Sequence, residues 1–280
     1  MQEEEKGFNL TDRDFNFIRN LVSEETGIVL SEAKRNLVYG RLARRIRTLG
    51  LADFSSYCNM LKNRDGDEIV DFINAITTNL TSFFRENHHF EFLANTVIPK
   101  LLQTNVVNRR IRIWSAGCST GEEPYSIAMT LRENIPNIES WDVKILATDL
   151  DSNVLATAAA GIYSKDRVTG IAKPRQKKWF LTSNNESLED KVQVSKELKD
   201  LITFKQLNLM QDWPFKGHFD CIFCRNVVIY FSKDTQRVLV NRYADKMAED
   251  AHLFLGHSES LFKVSDRFKL LGQTIYQRTQ

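Results

Sequence analysis

The run IRIWSAGCSTGEEPYSIAM, residues 111–129, limits the possible folds more than any other stretch of the chain. Ile111 to Ser115 alternate as a strand, Gly117 and Gly121 punctuate a tight turn, and Pro124 suits a first helical turn, where its missing N–H costs nothing. A strand that passes through small residues into a helix suits a nucleotide-type pocket, because glycines let the backbone approach a ligand closely; a tight strand-to-helix turn with no ligand is the plainer alternative. Further short apolar runs follow: VKILATD, ITFKQLN, FDCIFC and HLFLGH. Several are separated by helical stretches such as Pro124 to Glu133 and Lys233 to Met247. That alternation predicts a parallel α/β sheet with covered faces. FKLLGQTIYQR reads as two strands joined at a glycine-containing turn, adding an antiparallel pair at one edge. The connection from Ala160 to Leu201 is longer than one crossover helix needs and contains the alternating KVQVS, so a small β-subdomain inserted at about 160–202 is expected.

The preceding residues have a different texture. Thr11 can cap a helix carrying Phe15, Ile18, Leu21 and Val22, which Gly27 stops. Ser31 is positioned to cap a second, with Val38, Leu42, Ile46 and Leu49 on one face and Gly50 as a stop. Asp53 opens a third, Asp67 to Thr77 form a fourth, and a long helix is expected around His89 to Leu102. No strand is required before Arg110.

A chain of 280 residues accommodates two domains, and 42% apolar with 26% charged residues suits a folded protein. No apolar stretch is long enough to span a bilayer, and the acidic MQEEEKGF is unlike a signal peptide, so a cytoplasmic location is expected. Cys58, Cys118, Cys221 and Cys224 lack the density of a disulfide scaffold. The C-x-x-C pair lies inside the apolar FDCIFC and reads as strand core rather than metal ligands. A net charge of +2 implies no polyanionic partner by itself.

The glycine loop also says what the ligand is not. The spacing is G-x-x-x-G rather than G-x-G-x-x-G, and Glu122 and Glu123 follow at once. Two carboxylates at a helix start repel a pyrophosphate but tolerate a cationic or neutral nucleoside, of which S-adenosylmethionine is an example. Asp149 ends the next strand, where an acid can hold ribose hydroxyls; an ordinary helix cap is the plainer alternative.

Five motifs occur in one order: TTNLTSFFRENHHF (77–90), SAGCSTGEEPYS (115–126), TDLD (148–151), FDCIFCRNVVIYF (219–231) and GHSE (256–259). On these the chain resembles the CheR-type chemotaxis-receptor glutamate O-methyltransferases over nearly its whole length. The resemblance implies an α/β class I methyltransferase (Rossmann-like) sheet with a small inserted β-subdomain, preceded by an all-α N-terminal domain. The expected bounds are a helical domain at 1–76 that docks substrate, a linker at 77–110 contributing to the cofactor site, and a methyltransferase domain at 111–280. It implies S-adenosylmethionine held by Asn79, Thr81, Arg85, Glu122, Asp149, Asn208, Leu209, Arg225 and Asn226. It further implies methyl transfer to glutamate carboxylates on the helical cytoplasmic region of a chemoreceptor, leaving S-adenosylhomocysteine. A carboxylate acceptor is ionised at neutral pH, so no general base is expected. Arg225 and Tyr230 are candidates to orient the acceptor, with a packed aromatic the plainer reading of Tyr230.

Lys34, Arg41, Arg44 and Arg45 fall within about 100 degrees on a helical wheel, and no acidic residue occurs between Glu32 and Asp53. The expectation is a docking face for an acidic helical receptor; a solvated charged face or non-specific nucleic-acid contact stays open. Some family members grip a receptor C-terminal tethering peptide at a glycine-bearing turn of the insertion. The corresponding TSNNESLEDKVQVSKEL has no glycine, so tethering is left open. His88 and His89 read as part of the linker motif rather than as metal ligands, and His257 is given no role. A monomer, with no metal and no membrane insertion, is expected. Rival readings are a nucleic-acid methyltransferase, against which the absence of Asn-Pro-Pro-Tyr counts, and a non-catalytic module that keeps the cofactor fold. A nucleotide-dependent dehydrogenase is more distant.

Overall fold

The computed structural model describes residues 7–63, 66–182 and 189–279. The chain divides into two compact units: residues 1–78 with Tyr230–Ser232, and residues 79–229 with 233–280.

The first unit is helical. α1 (Asp12–Thr26) starts where Thr11 accepts the Asp14 N–H and ends at Gly27, whose φ of 75° lets its N–H reach the Ser23 carbonyl. α2 (Arg35–Thr48) begins later than the sequence suggests. A single 3-10 turn, Glu32–Lys34, precedes it, and the Ser31 side chain makes no capping bond. α3 (Phe54–Lys62) is capped by Asp53 onto Ser56 N, and α4 (Gly66–Ile76) completes the set. Their apolar stripes close on a core of Phe15, Ile18, Val38, Leu42, Ile46, Phe54, Tyr57 and Phe72, each large side chain contributing about 1.5–3 kcal/mol on burial. Within this unit Ile28 bridges Phe231, and the Val29 N–H donates to the Tyr230 carbonyl at 2.9 Å.

The second unit opens with a helical run of three pieces: α5 (His88–Phe92), a π-helical turn (Leu93–Val97) and α6 (Ile98–Thr104). Pro99 stands in the first turn of α6 and has no N–H to donate, which accounts for the wider turn before it. The elements then alternate: β1 (Arg110–Ala116), α7 (Glu122–Asn134), β2 (Asp142–Asp149) and α8 (Ser152–Ala160). The insertion supplies β3 (Ile162–Ser164), α9 (Lys173–Trp179), β4 (Phe180–Thr182), β5 (Lys191–Val194) and α10 (Lys196–Lys199). β6 (Ile202–Gln206), β7 (Phe219–Cys224), α11 (Lys233–Asp245), β8 (Met247–Leu255), β9 (Phe268–Gly272) and β10 (Ile275–Arg278) finish the unit.

Seven strands form one sheet in the order β6-β2-β1-β7-β8-β10-β9, parallel except for the β10 pairings with β8 and β9. The antiparallel edge is the pair expected from FKLLGQTIYQR. β3, β5 and β4 form a separate three-stranded antiparallel sheet, so the inserted segment folds as a subdomain. Residues 183–188, within TSNNESLEDKVQVSKEL, lie outside the described residues. Among the described residues no helix is long and apolar enough to cross a membrane. The four cysteines are free and buried: Cys58 in α3, Cys221 and Cys224 in β7, and Cys118 in the loop after β1.

Candidate functional site

From β1 the chain steps outward to β2 and β6 and later returns to the opposite side of β1 with β7. Open parallel sheets leave a crevice at the carboxyl ends of their strands where the order reverses, because the loops there diverge. The loops leaving β1, β2, β6 and β7 carry Glu122, Asp149, Asn208 with Leu209, and Arg225 with Asn226. The fold therefore brings to one end of one sheet the residues that the sequence assigns to a cofactor.

The β1 loop is built by hydrogen bonds from Gly117 N and Cys118 N to the Thr148 carbonyl, at 2.8 and 2.9 Å. Gly117 has φ 92°, and a Cβ there would run into the Val227 side chain; Gly121 has φ 99°, and a Cβ there would lie 2.9 Å from Ala158 Cβ. Both glycines are thus required by the chain itself. Asp149 is buried and splits its carboxylate: one oxygen accepts the Ser119 N–H at 2.8 Å and the other the Asp151 N–H at 3.0 Å. Burial pushes its carboxyl up, opposed by those amides. Each oxygen keeps lone pairs with which to accept hydroxyls.

Glu122 and Glu123 behave differently from bare repelling charges. Glu122, fully buried, pairs with Arg167 of the inserted subdomain and accepts the Thr120 hydroxyl at 2.6 Å. Glu123 accepts the Ser115 hydroxyl at 2.7 Å and pairs with Arg225 at 3.1 Å. Burial raises Glu123 while Arg225 pulls it down. The acidic helix start stands, but part of its charge is answered from within.

Asn79, Thr81 and Arg85 lie on the segment leading to α5, which is tied to the β1 loop and α7. The Ser119 hydroxyl donates to the Asn79 carbonyl at 2.9 Å, Asn79 Nδ2 donates to Asp151 at 2.8 Å, and the Phe84 N–H donates to Ser126 Oγ at 3.0 Å. Arg167 reaches the Thr81 carbonyl at 3.4 Å, and Arg85 Nη1 donates to the Leu80 carbonyl at 2.9 Å. On the β6 loop, Asn208 Oδ1 accepts the Met210 N–H at 2.9 Å, which fixes its amide, and Arg242 donates to the Leu209 carbonyl at 2.7 Å.

Arg225 turns inward. Its side chain is 2% exposed, pairs with Glu123, lies 3.4 Å from Glu86, donates to the Arg85 carbonyl and stands 5.6 Å over the Phe90 ring. Through these contacts the guanidinium ties the end of β7 to the Arg85 segment. Next to it, Asn226 takes φ 60°. That turn is held by Glu259, whose Oε2 accepts Asn226 N at 2.8 Å and Gly256 N at 2.5 Å and whose Oε1 accepts Ile229 N at 3.2 Å. Tyr230 belongs to the first unit, where its carbonyl takes the Val29 N–H.

Sequence reasoning did not single out Glu259, Arg167, Glu86 or His257 as site residues. GHSE carried His257 and Glu259 only as members of a motif, as TTNLTSFFRENHHF carried Glu86, and His257, given no partner on sequence grounds, has one in Glu86 at 2.9 Å. Among the described residues Glu86, His88 and His89 group closely enough to suggest metal ligation. Arg225 opposes a cation there at 3.4 Å from Glu86. Burial, with Arg225 second, also holds His89 down at about 4.

The basic helix is sorted by the first unit's packing. Arg45 is drawn onto Glu68 at 2.5 Å and onto Asp71, and Tyr57 donates to Glu68 at 2.6 Å. Arg41 donates to the carbonyls of Ile76 and Thr77. Lys34 and Arg44 stay exposed. Of the four expected docking residues, two therefore stabilise the helical unit itself.

Residues 79–277 match the family model described as CheR methyltransferase, SAM binding domain, and residues 13–77 match that described as CheR methyltransferase, all-alpha domain. The chain is 44% identical over 261 residues to a Rhizobium etli protein named "Probable chemotaxis protein methyltransferase", covering 92% of this chain and 97% of that one. It is 43% identical to "Chemotaxis protein methyltransferase 2" of Pseudomonas aeruginosa, covering 96% of this chain and 94% of that one. Against "Chemotaxis protein methyltransferase" of Escherichia coli the figure is 42%, covering 95% and 91%.

Proposed function

The chain belongs to the CheR methyltransferase family and is a methyltransferase of chemotaxis that uses S-adenosylmethionine, and from that premise we propose how its residues divide the work and what they act on. The substrate is a glutamate side chain on the helical cytoplasmic region of a chemoreceptor, and the protein works in the cytoplasm as a monomer. The observation that carries the site assignment is the convergence of four strand-end loops beside Asp149, with the Asn79–Arg85 segment hydrogen-bonded onto them.

The residues fit this cofactor chemically. Asp149 accepts ribose hydroxyls, and Glu122 accepts from the ammonium end. Arg85 offers a fork to the methionine carboxylate, while the Thr81 hydroxyl and Asn79 line the same segment. Asn208, the Leu209 backbone and Asn226 offer polar groups to the adenine and the thioether end. When bound, S-adenosylmethionine supplies an electrophilic methyl on a sulfonium. A glutamate oxygen forms the new C–O bond as the S–CH3 bond breaks, leaving a methyl ester and S-adenosylhomocysteine. The acceptor carboxylate is already ionised at neutral pH, so the protein's part is alignment and exclusion of water rather than proton abstraction. No catalytic base is assigned.

Lys34, on the 3-10 turn before α2, and Arg44, on α2 itself, present the positive charge that favours an acidic receptor helix, with Arg41 and Arg45 bracing α2. A receptor tail peptide stays outside this assignment. The test is methyl transfer from labelled S-adenosylmethionine to a receptor cytoplasmic fragment, followed by mild alkali. Release of the label as methanol identifies a carboxyl ester. Label that survives alkali, or that appears on nucleic acid instead, would overturn the substrate assignment.

A further inference from the structure

Arg85 sits between two residues in the left-handed region, Phe84 at φ 53° and Glu86 at φ 55°. For side-chain-bearing residues this conformation costs about 1–2 kcal/mol each and persists only where neighbours over-determine it. Three ties do so here. Ser126 takes the Phe84 N–H at 3.0 Å, and Arg225 donates to the Arg85 carbonyl. The third is His257, whose Nδ1 lies 2.9 Å and backbone N 3.3 Å from Glu86 Oε1. The other Glu86 oxygen faces Arg225 at 3.4 Å and His89 at 3.6 Å.

His257 differs from the rest of this network in exposure. Its side chain is 66% exposed, whereas Glu86 is 11% and Arg225 2%. An exposed imidazole that reaches inward to a nearly buried carboxylate is not explained by core packing. Its own loop is pinned one residue earlier, where Glu259 accepts the Gly256 N–H at 2.5 Å. Burial pushes Glu86 up, but the His257 bond and the Arg225 charge outweigh it and hold the carboxyl at about 2. Glu86 is thus an anion at working pH that must be held from both sides, by Arg225 within and by His257 without.

We propose that His257 is a positioning residue: by gripping Glu86 it fixes the turn that carries Arg85, and so places the Arg85 guanidinium for the carboxylate of the cofactor's amino-acid end. The assignment rests on the reading of Arg85 given above. It predicts an effect confined to ligands that possess that carboxylate, which a general loss of stability would not produce.

The experiment is calorimetric titration of the full chain and its variants with S-adenosylhomocysteine and with 5′-methylthioadenosine, which lacks the amino-acid end. His257→Leu removes the Nδ1 donor at an exposed position, and His257→Asn keeps a donor at a similar reach. The expected result for His257→Leu is a roughly fivefold to thirtyfold weaker Kd for S-adenosylhomocysteine, with that for 5′-methylthioadenosine changed less than about twofold. His257→Asn should recover most of the loss. Arg85→Ala is the reference: it should show the same selectivity more strongly. If Arg85→Ala is selective and His257→Leu leaves both affinities unchanged or weakens both equally, the positioning role is wrong while the Arg85 reading stands. If Arg85→Ala is not selective, the Arg85 reading fails and the role of His257 falls with it.

Discussion

Replacing Glu259 by Gln changes one oxygen to an NH2 and should disable the turn after β7. The carboxylate accepts three backbone amides: Gly256 N at 2.5 Å and Asn226 N at 2.8 Å on one oxygen, and Ile229 N at 3.2 Å on the other. The less costly rotamer of the glutamine turns its NH2 toward Ile229. That leaves two donors face to face in a site where Glu259 is 3% exposed. An orphaned buried donor costs about 1–3 kcal/mol. The two amides that remain lose an ionised acceptor, and charge-assisted bonds are about twice as strong as neutral ones, adding roughly 1–2 kcal/mol. The sum is about 2–5 kcal/mol, and at about 2–4 °C per kcal/mol the expected fall in Tm is roughly 4–20 °C. Because Asn226 is one of the clamped residues, the Kd for S-adenosylhomocysteine should rise at least about fivefold. Thermal unfolding followed by circular dichroism and calorimetric titration read the two effects. Burial pushes this carboxyl up against the pull of the amides. A glutamine variant with the native Tm and Kd would mean that the group is protonated in the native fold, and the amide-clamp argument would be wrong.

Gly256→Ala should weaken S-adenosylhomocysteine binding by about tenfold, because the added Cβ would stand 2.8 Å from Asn226 Cγ and from its backbone N; unchanged calorimetry would contradict it. Arg45→Ala should cost about 2–3 kcal/mol in denaturant unfolding, since it strands Glu68, whose side chain is 7% exposed. Arg44→Glu at the exposed neighbouring position should shift stability by less than about 0.5 kcal/mol while slowing receptor methylation; a stability loss equal to that of Arg45→Ala would overturn the distinction. Burial, helped by Lys100, holds His252 at about 4 against an ordinary 6.5. The unfolded chain therefore takes up a proton in that window while the folded chain does not, and stability falls as pH drops through it. His252→Leu should accordingly narrow the difference between pH 6.5 and pH 4 in unfolding free energy by about 3 kcal/mol relative to the native chain. Parallel pH profiles would refute it.

The strand and helix alternation after Arg110 was legible because buried parallel strands are short apolar runs bounded by turn residues, and IRIWS and FDCIFC have few other ways to be buried. Local capping was read correctly at Thr11 and Asp53, whose side chains accept the expected amides, and incorrectly at Ser31, where a 3-10 turn intervenes. The helical wheel grouped four cations by angle alone. It could not show that Arg45 faces Glu68 and Asp71 or that Arg41 faces two α4-end carbonyls, because those partners come from elsewhere in the fold. For the same reason the sequence could not show that Glu123, Glu86 and the Arg85 carbonyl surround Arg225. A motif marks which residues matter together, whereas direction and burial are set by contacts far apart in sequence, such as Glu86 with His257.

The central claim is that the loops beside Asp149 hold S-adenosylmethionine, and the most direct measurement is calorimetric titration of the native chain and Asp149→Ala with S-adenosylhomocysteine. Binding at one site per chain, reduced at least about a hundredfold in a folded Asp149→Ala variant, is the predicted result. Equal affinity in the two proteins would contradict the claim and place the cofactor elsewhere.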